Sequence, residues 1–450
     1  MRLFGTDGIR GKVNKHPLTA ESVLKLSKAA AIVLGKKSNI KRVVVNKDTR
    51  LSGYIFEPAI TSGLISVGMD VVLVGPLPTP ALSLLSKSLR ADFSIMITAS
   101  HNPYQDNGLK FFNSNGLKIS IDEEKKIEDL FFNYDFENHK IKPNQLGKAI
   151  RLKDAIGRYS EALKQDIEKN INFNYLKVVL DTANGAAYKV APQILYELGV
   201  DLKTINSSPN GININAECGS LFPKKAIKEL LKRNSDIAIC LDGDADRVVL
   251  IDENGKPLSG EEILFILSKY YLEKKILLKG STIVTNEIAN YGFEESLKKI
   301  GIKLLRVKVG DKNILEAIIK KGYLFGGEPS GHFIFKNSNL IGDGLTTAIK
   351  IMSIMSLKKK KLSDLRKEII LYEVLEINQK IDKEKFLQNQ EKLYLNLTKI
   401  INNKKIFYNI RPSGTESLLR VNLQYDKRSI KTSNIQNIKV KIIKTISNAC

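Results

Sequence analysis

Two patterns of apolar residues alternate along the chain. Short runs rich in β-branched residues stand at 42–46, 71–75 and 93–98. Such near-continuous apolar runs predict buried parallel strands, because both faces of a parallel sheet are covered. Between them, amphipathic stretches predict helices at 20–34, 56–67 and 80–89. The alternation of the two patterns predicts α/β layering.

The same pattern starts again twice. The second block has predicted strands at 177–181 and 237–242 around a helix at 188–198. The third block has predicted strands at 282–286, 303–307 and 323–326. From about residue 371 the chain changes to alternating strands and a closing helix at 434–448, which predicts a smaller α+β domain.

These blocks predict the domain organisation. We expect an α/β protein with three similar mixed α/β-layer domains and a smaller α+β C-terminal domain. Polar stretches rich in Lys and Asn near 132–144 and 357–362 are candidate linkers. The expected domains span 1–150, 151–256, 257–368 and 369–450.

The composition excludes a disordered or fibrous chain. Of 450 residues, 43% are hydrophobic and 26% are charged, which is ordinary for a globular protein. The 71 basic residues exceed the 48 acidic ones and give a net charge of +23. Because the lysines are spread along the whole length, the excess is typical of a compositional bias of the coding sequence and not of a localised nucleic-acid surface. An anionic small substrate such as a phosphate ester would also suit a basic chain. A basic nucleic-acid-binding protein stays as the alternative from another class.

The cysteines and the hydropathy indicate the compartment. Cys218, Cys240 and Cys450 show no pairing or metal-ligand spacing, which favours a reducing cytoplasm. The N-terminus has no apolar signal core. The longest apolar stretch, 263–278, is interrupted by four charged residues, so it does not predict a membrane span. We expect a cytoplasmic protein that contacts neither membrane nor nucleic acid.

A candidate nucleophile follows the predicted strand at 93–98. Ser100 lies in the segment Thr-Ala-Ser-His-Asn-Pro at 98–103, and His101 beside it is a candidate proton acceptor. An ordinary turn, in which Ser and Asn side chains bond the backbone, is the alternative. A Ser-His-Asp hydrolase is not supported, because no G-x-S-x-G surrounds Ser100.

Three carboxylates stand at alternate positions after the predicted strand at 237–242. In an extended segment Asp242, Asp244 and Asp246 would share one face, and three hard oxygen ligands predict a Mg²⁺ site. Arg247 follows them and can bind phosphate oxygens. A calcium loop is the alternative. It requires Gly where Arg247 stands, and it requires a helix where 248–251 predicts a strand.

Two further polar loops carry candidate ligands. The Gly-rich segment at 326–333 contains Glu328, Ser330 and His332, which suit the hydroxyls of a polyol, although a plain hairpin turn is the alternative. The segment at 411–416 combines an arginine with hydroxyls and Gly-freed amides, a pattern that suits a phosphate. Its candidate residues are Arg411, Ser413, Gly414 and Thr415, with Arg420 following. No Walker A sequence is present, so the segment at 411–416 is not a nucleotide-binding loop.

Together, in this order, the four segments resemble the α-D-phosphohexomutase superfamily over the full length of the chain. That superfamily shows T-A-S-H-N-P, D-G-D-x-D-R, G-E-x-S-G-H and R-x-S-G-T-E, which stand here at 98–103, 242–247, 327–332 and 411–416. The opening segment 4–11 is also similar to the N-terminal segment of the superfamily. The segment 210–215, followed by Cys218, is similar to the branch that acts on glucosamine phosphates. Pro329 and Ser417 depart from that branch, where Gln and Pro are usual.

The resemblance implies four domains around one central cleft and a mutase that interconverts glucosamine 6-phosphate and glucosamine 1-phosphate in the supply of cell-wall amino sugars. Phosphorylated Ser100 would donate its phosphoryl group, a 1,6-bisphosphate would form as the intermediate, and the same bisphosphate would act as activator. One Mg²⁺ per subunit would be held by Ser100, Asp242, Asp244 and Asp246.

The resemblance also implies roles for the remaining residues. Arg247 would lie beside the reacting phosphate and Arg10 in the cleft. Lys110 and His101 are both candidates for proton transfer or for stabilising the bridging oxygen. For Lys110, a surface lysine beside the strand at 111–112 is the alternative. A mutase for glucose or mannose phosphates stays open within the superfamily, and so does a homodimer.

Overall fold

The computed structural model describes most of the chain, namely residues 2–5, 7–35, 40–136, 141–168, 171–338, 340–401, 406–412 and 417–449. It divides into two compact units. The first comprises Met1–Ile263 and Gly310–Leu365, and the second comprises Leu264–Val309 and Arg366–Cys450.

A six-stranded sheet begins the first unit. Its strands are β1 (Ile9–Lys12), β2 (Arg42–Lys47), β3 (Asp70–Leu73), β4 (Phe93–Ile97), β5 (Asp106–Asn113) and β6 (Ala149–Arg151). They pair in the order β1-β5-β4-β2-β3-β6. β2 runs parallel to β3 and β4, whereas β5 returns antiparallel to β4. The loops after β2 and β4 therefore lie at the same edge of the sheet.

Five helices accompany this sheet: α1 (Ala20–Leu34), α2 (Gly53–Ile65), α3 (Thr79–Ser88), α4 (Ile121–Asn133) and α5 (Ala155–Gln165). The predicted bounds of α1 agree with the structure. The helix begins after Thr19, because the side chain of Thr19 caps the first turn by accepting a hydrogen bond from the backbone N–H of Ser22. A capping box between Ser120 and Glu123 starts α4. The apolar faces of α1, α2 and α4 join the strands in one core.

A second, four-stranded sheet follows in the same unit. Its elements are β7 (Lys177–Asp181), α6 (Val190–Glu197), β8 (Asp201–Ile205), α7 (Lys224–Arg233), β9 (Ile237–Leu241) and β10 (Val248–Asp252). The strand order is β10-β9-β7-β8. β7 is parallel to β8 and β9, whereas β10 is antiparallel to β9. The short connection between β9 and β10 carries the three candidate aspartates.

The next elements are shared between the two units. The helix α8 (Gly260–Glu273) leads into the second unit, which then contains β11 (Thr282–Asn286), α9 (Tyr291–Lys299) and β12 (Lys303–Val307). β11 and β12 are parallel. The chain returns to the first unit with α10 (Asp311–Lys321), the antiparallel hairpin β13 (Phe325–Gly327) and β14 (Phe333–Phe335), α11 (Gly344–Lys358), and most of α12 (Leu362–Arg366).

The chain ends in the second unit with a small antiparallel sheet. Its elements are β15 (Glu373–Lys380), α13 (Lys383–Ile401), β16 (Ile406–Pro412), β17 (Leu418–Tyr425) and α14 (Thr432–Ala449). β17 lies between β15 and β16, and the two long helices cover the sheet in one apolar core.

The predicted fold class is confirmed. The chain is a mixed α/β protein with a smaller α+β part at its C-terminus. The predicted domain boundaries stay a prediction. None of the described helices combines the length and the hydropathy that crossing a bilayer requires.

Candidate active site

Ser100 follows β4 in a loop that fixes its side chain. Its backbone N–H donates to Thr98 Oγ1 at 2.9 Å, and its φ of 50° is left-handed. That conformation is uncommon for residues other than glycine and occurs at functional sites. Ser100 is 1% exposed, and its Oγ donates a hydrogen bond to Asp242 Oδ2 at 2.6 Å. The structure therefore places the candidate nucleophile against the candidate metal ligands.

The three aspartates converge through a turn. The prediction of an extended segment was wrong, because β9 ends at Leu241 and Ala245 takes a left-handed φ of 58°. Because β9 and β10 are antiparallel with Leu241 opposite Val248, residues 242–247 must reverse the direction of the chain. Asp242, Asp244 and Asp246 are all buried, and one carboxylate oxygen of each lies within 4.8 Å of those of the other two.

Lys110 is buried in β5, so the alternative of a surface lysine is wrong. Its Nζ donates to Asp244 Oδ2 at 2.8 Å and to Asp246 Oδ2 at 3.1 Å, and it lies 3.2 Å from Asp7 Oδ2. Burial acts to lower the pKa of Lys110, but Asp244, Asp246 and Asp7 outweigh it and raise the pKa well above its usual value. The ammonium offsets part of the charge of the aspartate cluster.

The carboxylates of the cluster differ in their pKa values. Burial, followed by the charges of Asp246 and Asp244, raises the pKa of Asp242 well above its usual value. For Asp246, burial acts in the same direction, but Lys110, His332 and Arg247 outweigh it and lower the pKa to about 2. Arg247 acts to lower the pKa of Asp242 as well, but it does not outweigh burial and the two neighbouring carboxylates.

The geometry and chemistry of the donor set fit a divalent cation. Asp244 Oδ1 and Asp246 Oδ1 are buried and accept no hydrogen bond from the described residues. Buried carboxylate oxygens without partners are costly unless a cation satisfies them. Carboxylates and a serine oxygen are the hard ligands that Mg²⁺ prefers. The calcium-loop alternative does not fit, because β10 stands where that loop requires a helix.

A histidine and two arginines surround the serine and the carboxylates. His101 Nδ1 lies 3.3 Å from Ser100 Oγ. Burial, followed by the charges of Arg247 and Arg10, lowers the pKa of His101 to about 4. Arg10 donates to Asp7 Oδ2 at 2.5 Å. Within the described part of the chain, the Nε atoms of Arg10 and Arg247 are buried and donate no hydrogen bond, so each is suited to an anionic oxygen.

The predicted sugar loop is the connection of the β13–β14 hairpin, and it joins the same site. Arg247 forms a β-bridge with His332, and His332 Nδ1 lies 3.9 Å from Asp246 Oδ1. Ser330 Oγ donates to Glu328 Oε2 at 3.2 Å. The loop is thus a hairpin turn, as one alternative had it, and it also presents polar groups beside the aspartate cluster.

The two candidate arginines of the phosphate loop lie together in the second unit. Arg411 on β16 is directly opposite Arg420 on β17. Both line a pocket with the polar side chains of Asn409 and Asn422. Ser413, Gly414 and Thr415 lie outside the described residues, and so does Cys450.

Sequence reasoning missed several side chains of the site. Thr79 Oγ1 donates to Asp244 Oδ2 at 2.6 Å. Asp7 bonds both Lys110 and Lys118, and Lys118 continues to Asp311. Asp7 lies within the segment 4–11 that resembles the superfamily, so its carboxylate could have been named as a candidate site residue. Thr79 at the start of α3 gave no comparable signal.

Comparison with known protein families gives the class of protein. Models of phosphoglucomutase/phosphomannomutase alpha/beta/alpha domains I, II and III match residues 1–138, 157–255 and 259–372. The chain belongs to the phosphoglucomutase/phosphomannomutase family of phosphohexomutases. The superfamily indicated by the four segments is therefore confirmed.

Curated relatives are more specific. A phosphoglucosamine mutase of Thermodesulfovibrio yellowstonii is 43% identical over 426 residues, 94% of each chain. Another, of Campylobacter curvus, is 42% identical over 448 residues, 99% of this chain and 100% of the relative.

Solved structures share the fold. A phosphoglucomutase/phosphomannomutase family protein from Burkholderia thailandensis superposes with a TM-score of 0.83 at 22% identity, over 99% of this chain and 97% of the other. An Aspergillus fumigatus N-acetylphosphoglucosamine mutase in complex with GlcNAc-6P and magnesium has a TM-score of 0.67 at 15% identity, over 99% of this chain and 96% of the other.

Proposed function

We propose that this chain interconverts glucosamine 6-phosphate and glucosamine 1-phosphate through phosphorylated Ser100. The observation that carries the proposal is the contact between Ser100 Oγ and a buried three-carboxylate cluster, with Arg247 Nε 4.0 Å from Asp246 Oδ1. Relatives named phosphoglucosamine mutase, 42–44% identical over nearly the whole chain, support the choice of substrate.

In the forward reaction the bond between Ser100 Oγ and phosphorus breaks, and O1 of glucosamine 6-phosphate takes the phosphoryl group. The 1,6-bisphosphate then returns its 6-phosphoryl group to Ser100, and glucosamine 1-phosphate leaves. In each transfer the acceptor hydroxyl loses a proton as its bond to phosphorus forms, and the oxygen that the phosphoryl group leaves takes up a proton. Between the two transfers the bisphosphate turns around in the site. His101 Nδ1, at 3.3 Å from Ser100 Oγ, is well placed for the proton of the serine. Lys110 instead faces the carboxylates.

Catalysis of this transfer is mainly positioning and charge neutralisation. Mg²⁺ held by Asp242, Asp244, Asp246 and Ser100 would supply positive charge to the phosphate oxygens. Arg247 and Arg10 add guanidinium donors on the same side. Glu328, Ser330 and His332 would hold the sugar hydroxyls.

We propose that Arg411 and Arg420 bind the phosphate that does not react. The two residues stand directly opposite each other on neighbouring strands and line one pocket, to which Glu376 contributes a single carboxylate, and like charges at opposite positions are destabilising. An anion between them relieves this repulsion. Binding energy from a remote phosphate then orients the sugar.

The proposal also covers the ligands of the enzyme and its cellular compartment. Its partner is a phosphosugar, with a bisphosphate sugar as activator, and it needs neither nucleic acid nor membrane. Cys218 and Cys240 are free thiols, which suits a reducing cytoplasm.

The test is turnover of the Ser100→Ala variant. We expect purified enzyme with Mg²⁺ and glucosamine 1,6-bisphosphate to interconvert the two monophosphates and Ser100→Ala to show no turnover. Ser94→Ala is the control, since Ser94 lies on β4 and bonds Ser86 at 2.7 Å, away from the site. Normal turnover by Ser100→Ala would refute the assignment of Ser100 as the residue that carries the phosphoryl group. A faster reaction with glucose 6-phosphate or mannose 6-phosphate than with glucosamine 6-phosphate would refute the assignment of the substrate.

A further inference from the structure

Arg50 is fully buried beside the serine loop and takes no part in the chemistry proposed above. It follows β2, and it is 1% exposed. Its Nε donates to Asp48 Oδ2 at 2.9 Å. Its other nitrogens donate to four backbone carbonyls of the loop, those of Ser100 (2.9 Å), Asn102 (2.8 Å), Pro103 (2.5 Å) and Asp106 (3.0 Å). A rigid planar fork can hold several acceptors at fixed angles.

A second side chain binds the same loop from another part of the chain. Asn215 belongs to the part of the chain that forms the second sheet. Its Nδ2 donates to the carbonyls of Ser100 at 2.9 Å and Asn102 at 3.0 Å. These are the two carbonyls that Arg50 Nη2 also binds. The loop is thus clamped between a residue of each sheet-forming region.

The conformation of Ser100 explains why such a clamp is needed. A left-handed φ of 50° is unfavourable for serine, so contacts elsewhere must stabilise it. The hydrogen bonds to the Ser100 carbonyl fix the peptide plane and, through it, the direction of the side chain. Gly243 confirms how closely the carbonyl is held, because a Cβ there would lie 2.5 Å from Ser100 O.

We propose that Arg50 and Asn215 are positioning residues for phosphoryl transfer, which set the direction of Ser100 Oγ by binding its carbonyl. The inference rests on the proposed function. It assigns these residues no contact with substrate. They should therefore affect the rate of transfer and leave substrate affinity nearly unchanged.

The experiment compares Asn215→Ala and Arg50→Lys with the wild-type enzyme. Loss of one pair of hydrogen bonds in Asn215→Ala should lower kcat about tenfold. Lysine cannot reproduce the fork, and a displaced nucleophile can cost about 100-fold, so Arg50→Lys should lower kcat by about that factor. KM for glucosamine 6-phosphate should stay within about threefold, because binding is made elsewhere.

A second readout follows the serine itself. The single-turnover rate at which glucosamine 1,6-bisphosphate phosphorylates Ser100, measured by intact mass, should fall by the same factor as kcat. Thr49→Val is the matched control. Thr49 neighbours Arg50, and its hydroxyl donates to Asn184 O at 2.5 Å, so the variant removes a contact between the same two regions without touching the loop.

The outcomes are distinct. A kcat within twofold of wild type for Asn215→Ala would overturn the inference, and so would an equal loss in Thr49→Val at equal Tm. If Arg50→Lys does not fold, Asn215→Ala still decides. A wild-type enzyme without mutase activity would instead refute the proposed function.

Discussion

Removal of the Lys110 ammonium tests whether the carboxylate cluster is built around positive charge. Lys110 is 2% exposed and contacts Asp244, Asp246 and Asp7 within 3.2 Å. Lys110→Met keeps the unbranched apolar part of the side chain but leaves the buried carboxylates without their cation. Breaking a buried ion pair costs about 3–5 kcal/mol, and in a unit as large as the first one each kcal/mol lowers Tm by about 1.5 °C. We therefore expect Tm in EDTA to fall by about 4–8 °C.

Magnesium should recover part of this loss. Without the ammonium, Asp244 and Asp246 are free to bind a cation more tightly, and a ligand that binds only the folded state raises its stability. The assay is thermal denaturation in EDTA and at several Mg²⁺ concentrations. The shift in Tm with Mg²⁺ should be larger in Lys110→Met than in wild type.

Lys47→Met is the control for buried-pair loss alone. Lys47 pairs with Glu57 at 2.8 Å away from the aspartates, so this variant should lose stability with an unchanged Mg²⁺ response. If Lys110→Met had the Tm of wild type in EDTA, or the same Mg²⁺ response, our account of the cluster would be incorrect.

Two further substitutions test the site. Gly243→Ala should lower kcat at least about tenfold, because its Cβ would lie 2.5 Å from Ser100 O and overpacking costs about 1–3 kcal/mol. Gly157→Ala, whose Cβ meets no atom within 4 Å, is the control and should retain turnover. Arg411→Ala should raise KM about 10–100-fold with a smaller effect on kcat, since a charge-assisted contact contributes about 1.5–3 kcal/mol. Steady-state kinetics measures both, and a change in kcat alone for Arg411→Ala would argue against phosphate binding there.

Much of the fold could be predicted because local pattern and burial agree. The strands at 177–181, 282–286 and 303–307 have the predicted bounds, since each is a short apolar run between polar segments. The convergence of the aspartates was also predictable from their spacing, although the segment that carries them is a turn and not the extended segment we expected. A left-handed Ala245 is set by the pairing of β9 with β10, which is not visible in a local pattern.

The supporting side chains could not be predicted in the same way. Arg50 and Asn215 bind carbonyls that are 50 and 115 residues away along the chain, and such contacts follow from the order of strands. One partial signal was present. Asp48 and Arg50 follow a buried strand that lies next to β4, and polar residues at the carboxyl ends of adjacent parallel strands meet at one edge of the sheet.

The central claim is that one serine carries the phosphoryl group. Peptide mapping by mass spectrometry, after incubation of the full chain with Mg²⁺ and glucosamine 1,6-bisphosphate, tests it directly. We predict a single phosphate, located on Ser100, that passes to the sugar when excess glucosamine 6-phosphate is added and is replaced by the 6-phosphate of that sugar, so that Ser100 stays phosphorylated. A phosphate on another residue, or none in an enzyme that turns over, would contradict the account.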